Sequence, residues 1–133
     1  MADNLFQVEI ITPDRIFYRG QASRIEFTTT EGEIGVFKDH IPLTTVLAPG
    51  IVTITEADGA KKAVVHAGFA EILGEKVTLL AEVAEWPEEI DLERARKAED
   101  RARERLNRKD ADLDVARAEL ALKRALARQD ILA

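Results

Sequence analysis

The residues whose type and spacing could do chemistry are four arginines in the last third of the chain. Arg94 and Arg101 are seven residues apart in a helix-forming segment, so they share a face about 10 Å apart at 1.5 Å rise per residue. Arg124 and Arg128 are four apart and again share a face. If the chain doubles back about residues 109–110, Arg94 falls opposite residue 125, beside Arg124 and close to Arg128, and Arg101 lies two turns further along. Guanidinium groups gathered this way repel unless something anionic sits among them. Neighbouring carboxylates could serve, from Glu85, Glu88, Glu89 and Asp91. A polyphosphate could also serve, because its oxygens match the planar bidentate fork of arginine. Spacing alone leaves both readings open, the salt-bridged, solvated face being the plainer one.

Other chemistries are missing from the sequence. There is no cysteine, which excludes disulfides and thiolate zinc sites. The two histidines, His40 in a turn before Pro42 and His66 in a strand-like run, have no metal-ligand spacing and read as structural. No Ser-His-Asp set or Walker loop is present, and Gly32-Glu33-Ile34-Gly35 reads as a turn with φ-permissive glycines. A net charge of −6, with acids interleaved along the basic stretch Arg94–Arg108, argues against nucleic acid as a partner. No apolar run approaches the roughly 20 residues of a membrane-spanning helix, and the first residues carry no export signal. The expectation is a cytoplasmic chain without direct membrane insertion that could dock on a membrane complex through protein contacts.

Two kinds of element must position these groups. Residues 1–86 carry 7 basic and 13 acidic residues, whereas 87–133 carry 12 of each, and the hydrophobic period changes at the same place. In the first part Leu5–Ile10 and Ser23–Thr28 alternate with period two, and Ile51–Thr55 and Ala63–Val65 are β-branched. Turn signals separate them, among them Asp58-Gly59, which suits a hairpin with positive φ at both central residues. An all-β, antiparallel sandwich or barrel over 1–86 is predicted.

Residues 87–133 are predicted to form an antiparallel two-helix hairpin. Pro87 stops the last strand, and no Gly or Pro follows Asp91. Leu92, Ala95, Ala98 or Glu99, Ala102 and Leu106 make one stripe; Leu113, Ala116, Leu120 and Ala125 or Leu126 make the other. Asn107–Asp110 is the expected break, with Asp91 capping the first helix and Asp110 or Asp112 the second. Seams of alanine bury little apolar area, so the hairpin should be marginal and able to open.

The chain resembles the epsilon subunit of bacterial F-type ATP synthases along essentially its whole length. The resemblance is carried by Glu31-Gly32-Glu33-Ile34-Gly35-Val36, His40-Ile41-Pro42-Leu43, Leu47-Ala48-Pro49-Gly50 and Ala67-Gly68-Phe69-Ala70-Glu71-Ile72. In the helical part it is carried by Ile90-Asp91-Leu92-Glu93-Arg94-Ala95, which matches the I/L-D-x-x-R-A nucleotide-binding signature, and by Ala118–Ala125. Phe37 departs from the pattern, where proline is more usual.

The resemblance implies a sandwich of about ten strands that contacts the gamma subunit and the c-ring as part of the rotor foot. It implies a hairpin that is permissive when folded on the sandwich. Extended into the alpha/beta catalytic head, the hairpin restrains ATP hydrolysis. It implies regulatory ATP, with Mg2+ an optional companion, bound by Glu85, Ile90, Asp91, Arg94, Ala95, Arg101, Arg124 and Arg128. Ile90 and Ala95 would flank adenine, Asp91 would read its edge or cap the helix, and the arginines would neutralise the phosphates. The chain would be a non-catalytic subunit, peripheral on the cytoplasmic face of the bacterial plasma membrane. A purely structural coupling subunit without a nucleotide site is the alternative.

Overall fold

A computed structural model describes residues 4–108 and 113–133. Eight strands come first: β1 Phe6–Ile11, β2 Ile16–Ala22, β3 Arg24–Thr29, β4 Gly32–Val36, β5 Leu43–Val46, β6 Gly50–Glu56, β7 Gly59–Ile72 and β8 Lys76–Glu85. A single 3-10 turn, Pro87–Glu89, leads to α1 (Leu92–Arg108) and α2 (Val115–Leu132). The β-sandwich followed by a two-helix hairpin is therefore the architecture. Eight strands stand where about ten were implied, because β7 runs unbroken for 14 residues. Along one edge it pairs with β6 through residues 59–65 and with β5 through 69–72, so one strand serves both halves.

The strand order is β2-β1-β8-β7-β6-β3-β4, with β5 on the side of β7. Most neighbours are antiparallel, as the turn spacing predicted. The exception is β1 with β8, which pair in parallel from Gln7 opposite Lys76 to Ile11 opposite Leu80. The alternating side chains meet inside: Ile10, Ile25, Phe27, Ile54, Ile72 and Leu79 are fully buried. Each such side chain contributes roughly 1.5–3 kcal/mol of burial free energy.

The bend that lets β7 serve both sides is local and chemical. Ala67 and Gly68 have φ of 55° and 104°, and a Cβ on Gly68 would stand 1.9 Å from the Leu80 carbonyl oxygen. Only glycine fits there. The Asp58-Gly59 hairpin also forms, joining Glu56 to Gly59. Of its loop only Gly59 has positive φ, so it is not the predicted turn with two left-handed residues.

The helices differ from expectation in three respects. First, α1 continues through Asn107 and Arg108, the first half of the predicted break; Lys109–Asp112, with both candidate caps, lie outside the described residues. The cap of α2 is Asp114, whose Oδ1 accepts from Arg117 N at 3.0 Å. Second, the register shifts accordingly. Gln129 Nε2 donates to Glu99 Oε1 at 2.8 Å, where a turn at 109–110 would have put Leu120. Third, the stripe of α2 is rotated: Ala118, Ala125 and Ala127 are buried, while Ala116 and Leu120 are exposed. In α1 the predicted stripe holds, with Ala95 and Ala102 buried. α1 packs on α2, and α2 rests on β6 and β7.

Candidate functional site

The segment between sandwich and hairpin is pinned before the first helix begins. Trp86 stacks on Phe17 with ring centroids 4.3 Å apart and meets Tyr18 edge-on. Glu89 accepts from Trp86 N at 2.9 Å, and Arg15 Nη2 donates to both Glu89 oxygens at 2.9 Å. These donors hold the Glu89 carboxyl below its ordinary range, the Trp86 amide contributing most and Arg15 adding to it. Asp91 then caps α1: its Oδ1 accepts from Arg94 N at 3.1 Å, and its carbonyl accepts from Ala95 N. The signature Ile90–Ala95 is thus the N-terminal turn of a helix whose entry point is fixed to the sandwich. An N-terminal turn offers unpaired backbone N–H groups and a favourable dipole for an anion.

Beside this turn lies a cavity of about 290 Å³, lined by Glu85, Glu89, Ile90, Asp91, Arg94, Ala95, Ala98, Arg101 and Arg128. Seven of the eight residues selected from sequence meet around it. Of the carboxylates that could have neutralised the arginines, one pairs with a single arginine and two are committed elsewhere. Glu85 Oε1 accepts from Arg128 Nε at 2.7 Å, Glu89 is held by Arg15, and Asp91 caps the helix. Among the described residues neither Arg94 nor Arg101 has an ion-pair partner. The salt-bridged face anticipated as the plainer reading therefore covers Arg128 but not the two arginines of α1. Unpaired guanidinium groups over a concave surface at a helix N-terminus make a surface for a multiply charged anion.

Arg124 does not line the cavity. The register shift of nine residues carries it about two and a half turns towards the closed end of the hairpin, where it is half-buried with its Nε unpartnered. Its field reaches His66 instead. The His66 imidazole is fully buried and held down to about 3, first by burial and then by the charges of Arg128 and Arg124.

Sequence reasoning named Glu89 only as a neighbouring carboxylate and His66 only as a structural histidine, and it missed Ala98 as a lining residue and the Arg15 anchor. Ala98 was recoverable, since it lies four residues after Arg94 and three before Arg101 on one helix face. The Arg15–Glu89 pair joins residues too far apart for any local signal.

Among the described residues no group of three or more His, Cys, Asp or Glu side chains could hold a metal ion. No described helix is long and apolar enough to cross a membrane.

Comparison with known proteins agrees with this architecture. The sequence model of the ATP synthase delta/epsilon chain β-sandwich domain matches residues 5–87, and that of the delta/epsilon long alpha-helix domain matches 88–132. The ATP synthase epsilon chain of Caldanaerobacter subterraneus subsp. tengcongensis is 47% identical over 97% of this chain and 94% of its own. That of Brevibacillus brevis is 50% identical over 80% of this chain and 82% of its own. A chain in the Euglena gracilis mitochondrial ATP synthase, solved with OSCP, F1 and the c-ring, superposes with a TM-score of 0.86 at 26% identity. That match covers 98% of this chain and 82% of the other. With both family models matched in order along the chain and near-full-length relatives of such identity, the chain belongs to the family of bacterial F-type ATP synthase epsilon subunits.

Proposed function

We propose that this chain is a non-catalytic subunit of the central stalk that joins gamma to the c-ring and regulates ATP hydrolysis through an ATP-sensitive hairpin. The sandwich is the rotor foot. The hairpin docked on it is the permissive state. Extended into the alpha/beta head, it restrains hydrolysis. The subunit works peripherally, on the cytoplasmic face of the plasma membrane.

The observation that supports ATP binding is the cavity, with Arg94 and Arg101 unpaired above it. In this reading ATP is a sensor ligand. Arg94, Arg101 and Arg128 face its phosphates, Ile90 and Ala95 flank the adenine, and Asp91 keeps the helix terminus aimed at the site. Arg128 exchanges part of its bond to Glu85 for phosphate. Arg124 acts through charge alone, since it stands outside the cavity. A Mg2+ ion accompanying the nucleotide would be held by the phosphates. The nucleotide touches both Glu85 at the end of the sandwich and Arg128 on α2, so it binds only the docked hairpin. It then stabilises that state by RT ln(1 + [L]/Kd), about 2.7 kcal/mol at a hundredfold excess over Kd. For a hairpin seamed by alanine that shifts the population decisively.

Calorimetry of the isolated subunit with ATP tests the proposal. Saturable heat is expected, reduced at least tenfold in affinity by Arg94→Ala and left alone by Arg96→Ala, which is exposed and off the cavity. No heat from the parent protein, or equal binding by Arg94→Ala, ends the ATP reading in favour of a purely structural coupling subunit.

A further inference from the structure

Val64 and His66 are fully buried, yet neither belongs to the core of the sandwich; their alternate neighbours Ala63 and Val65 do. Period two therefore puts Val64 and His66 on the outer face of β7, and α2 is the element resting there. Across the ladder Val64 pairs with Glu85 and His66 with Val83 on β8. A histidine is thus sealed under the hairpin. Neither of its ring nitrogens has a hydrogen-bond partner among the described residues. Its Nε2 stands 3.6 Å from Glu85 Oε1, the same oxygen that accepts from Arg128 Nε at 2.7 Å.

We propose that His66 and Arg128 compete for Glu85 Oε1, so that proton uptake by His66 releases the hairpin from the sandwich. With α2 docked, Arg128 holds the carboxylate and the imidazole stays neutral. With α2 lifted, the imidazole meets water, Arg124 and Arg128 depart, and Glu85 is left facing His66 alone. A protonated imidazole can then pair with that carboxylate. Proton uptake therefore favours the lifted state, a preference that opposes docking without any nucleotide.

The charged groups facing His66 are few. Glu85 comes from β8, and Arg124 and Arg128 come from α2. Lys62, four residues back on β7, is exposed, and the β6 residues opposite this part of β7, Gly50 and Ile51, carry no charge. Burial under α2, and then the two α2 cations, push His66 towards neutrality while docked; lifting α2 removes both effects and leaves Glu85 in place, so proton uptake favours the lifted state. The docked value of about 3 lies below the ordinary value of about 6.5 for an exposed histidine. Docking is accordingly strongest above about pH 6.5, and weakens by up to tenfold per pH unit as pH falls below it. The loss levels off near the docked value.

The test uses the full chain without nucleotide, so its outcome is independent of the ATP reading. Exposed Lys62 and Lys123 are replaced by cysteine in this cysteine-free chain and carry a donor–acceptor fluorophore pair reporting whether α2 is docked. Between pH 7.5 and 5.5 the docking constant is expected to fall about tenfold. In His66→Gln it should stay flat within twofold. A flat parent profile, or an unchanged slope in His66→Gln, overturns the proposal. Should His66→Gln not fold, the imidazole resonance of the parent protein decides. It should titrate together with opening of the hairpin, and titration near pH 6.5 with the hairpin still docked would overturn the proposal.

Discussion

The sandwich and the hairpin are built from different amounts of the same force. Inside the sandwich the buried residues are large: Phe27, Ile10, Ile25, Ile54, Ile72 and Leu79. Among the described residues of the hairpin every buried one is alanine, namely Ala95, Ala102, Ala118, Ala125 and Ala127. Hydrophobic stabilisation follows apolar area, about 0.8 kcal/mol per buried methylene, so the two regions differ severalfold per residue. Polar contacts supplement the packing: Arg128 ties α2 to Glu85 on β8, and Gln129 ties α2 to Glu99 on α1. Those contacts can be replaced by water or a ligand, whereas a leucine in a core has no alternative partner. The difference teaches where movement costs least: the β-domain is the tightly packed platform, and the hairpin is the part more weakly held.

The comparison is broken most forcefully from the sandwich side. Leu79→Ala, at a fully buried position on β8, should cost about 2–5 kcal/mol of global stability. Urea unfolding of the whole chain reads this as a lowered midpoint. A loss under 1 kcal/mol would mean that the platform is as loosely packed as the hairpin. Gly68→Ala belongs with it, because the new Cβ would run into the Leu80 carbonyl at a φ that alanine resists.

A middle-sized effect is expected at the seam. Ala102 is buried between the helices, and overpacking it with leucine should cost about 1–3 kcal/mol. Ala102→Leu should therefore lift the hairpin and weaken ATP binding while leaving the urea midpoint of the sandwich unchanged. Amide exchange reports the split: faster in α1 and α2, unaltered in β7 and β8. Slower exchange throughout would show that the seam had space to fill and that alanine was not limiting.

The sequence made some of this legible for clear reasons. Period-two alternation in Leu5–Ile10 and Ser23–Thr28 survives because each strand has one face in the core. Asp91 was legible as a cap because capping is decided within three residues. The parallel pairing of β1 with β8 was not, since it joins segments some 70 residues apart with no local trace. Nor was the helix register, because a run of Ala, Arg, Glu and Leu without Gly or Pro fits a turn at several positions nearly equally well. That error moved Arg124 out of the cavity and left Arg94, Arg101 and Arg128 in it, since those three lie near the open end. His66 looked like any strand histidine. Its setting depends on what α2 covers, which only the folded chain determines.

The smallest prediction asks whether the hairpin leaves the platform as preformed helices. Asp114 caps α2 at the closed end of the hairpin, and Asp114→Ala should cost the helix about 1 kcal/mol. If α2 stays fully helical after undocking, the cap stabilises both states alike and docking is unaffected. An isolated helix of this length is marginal in water, however, and an alanine seam lends it little support. The lifted helix should therefore fray, so that the cap is lost along with docking and counts mainly in the docked state. We expect Asp114→Ala to weaken docking about fivefold, the factor corresponding to 1 kcal/mol, with the fluorophore pair on Lys62→Cys and Lys123→Cys as readout. An unchanged docking constant, together with helix content unaltered by opening, would show that the arm swings as a rigid body. The contrast between platform and hairpin would then lie in the docking contacts alone and not in the helices themselves.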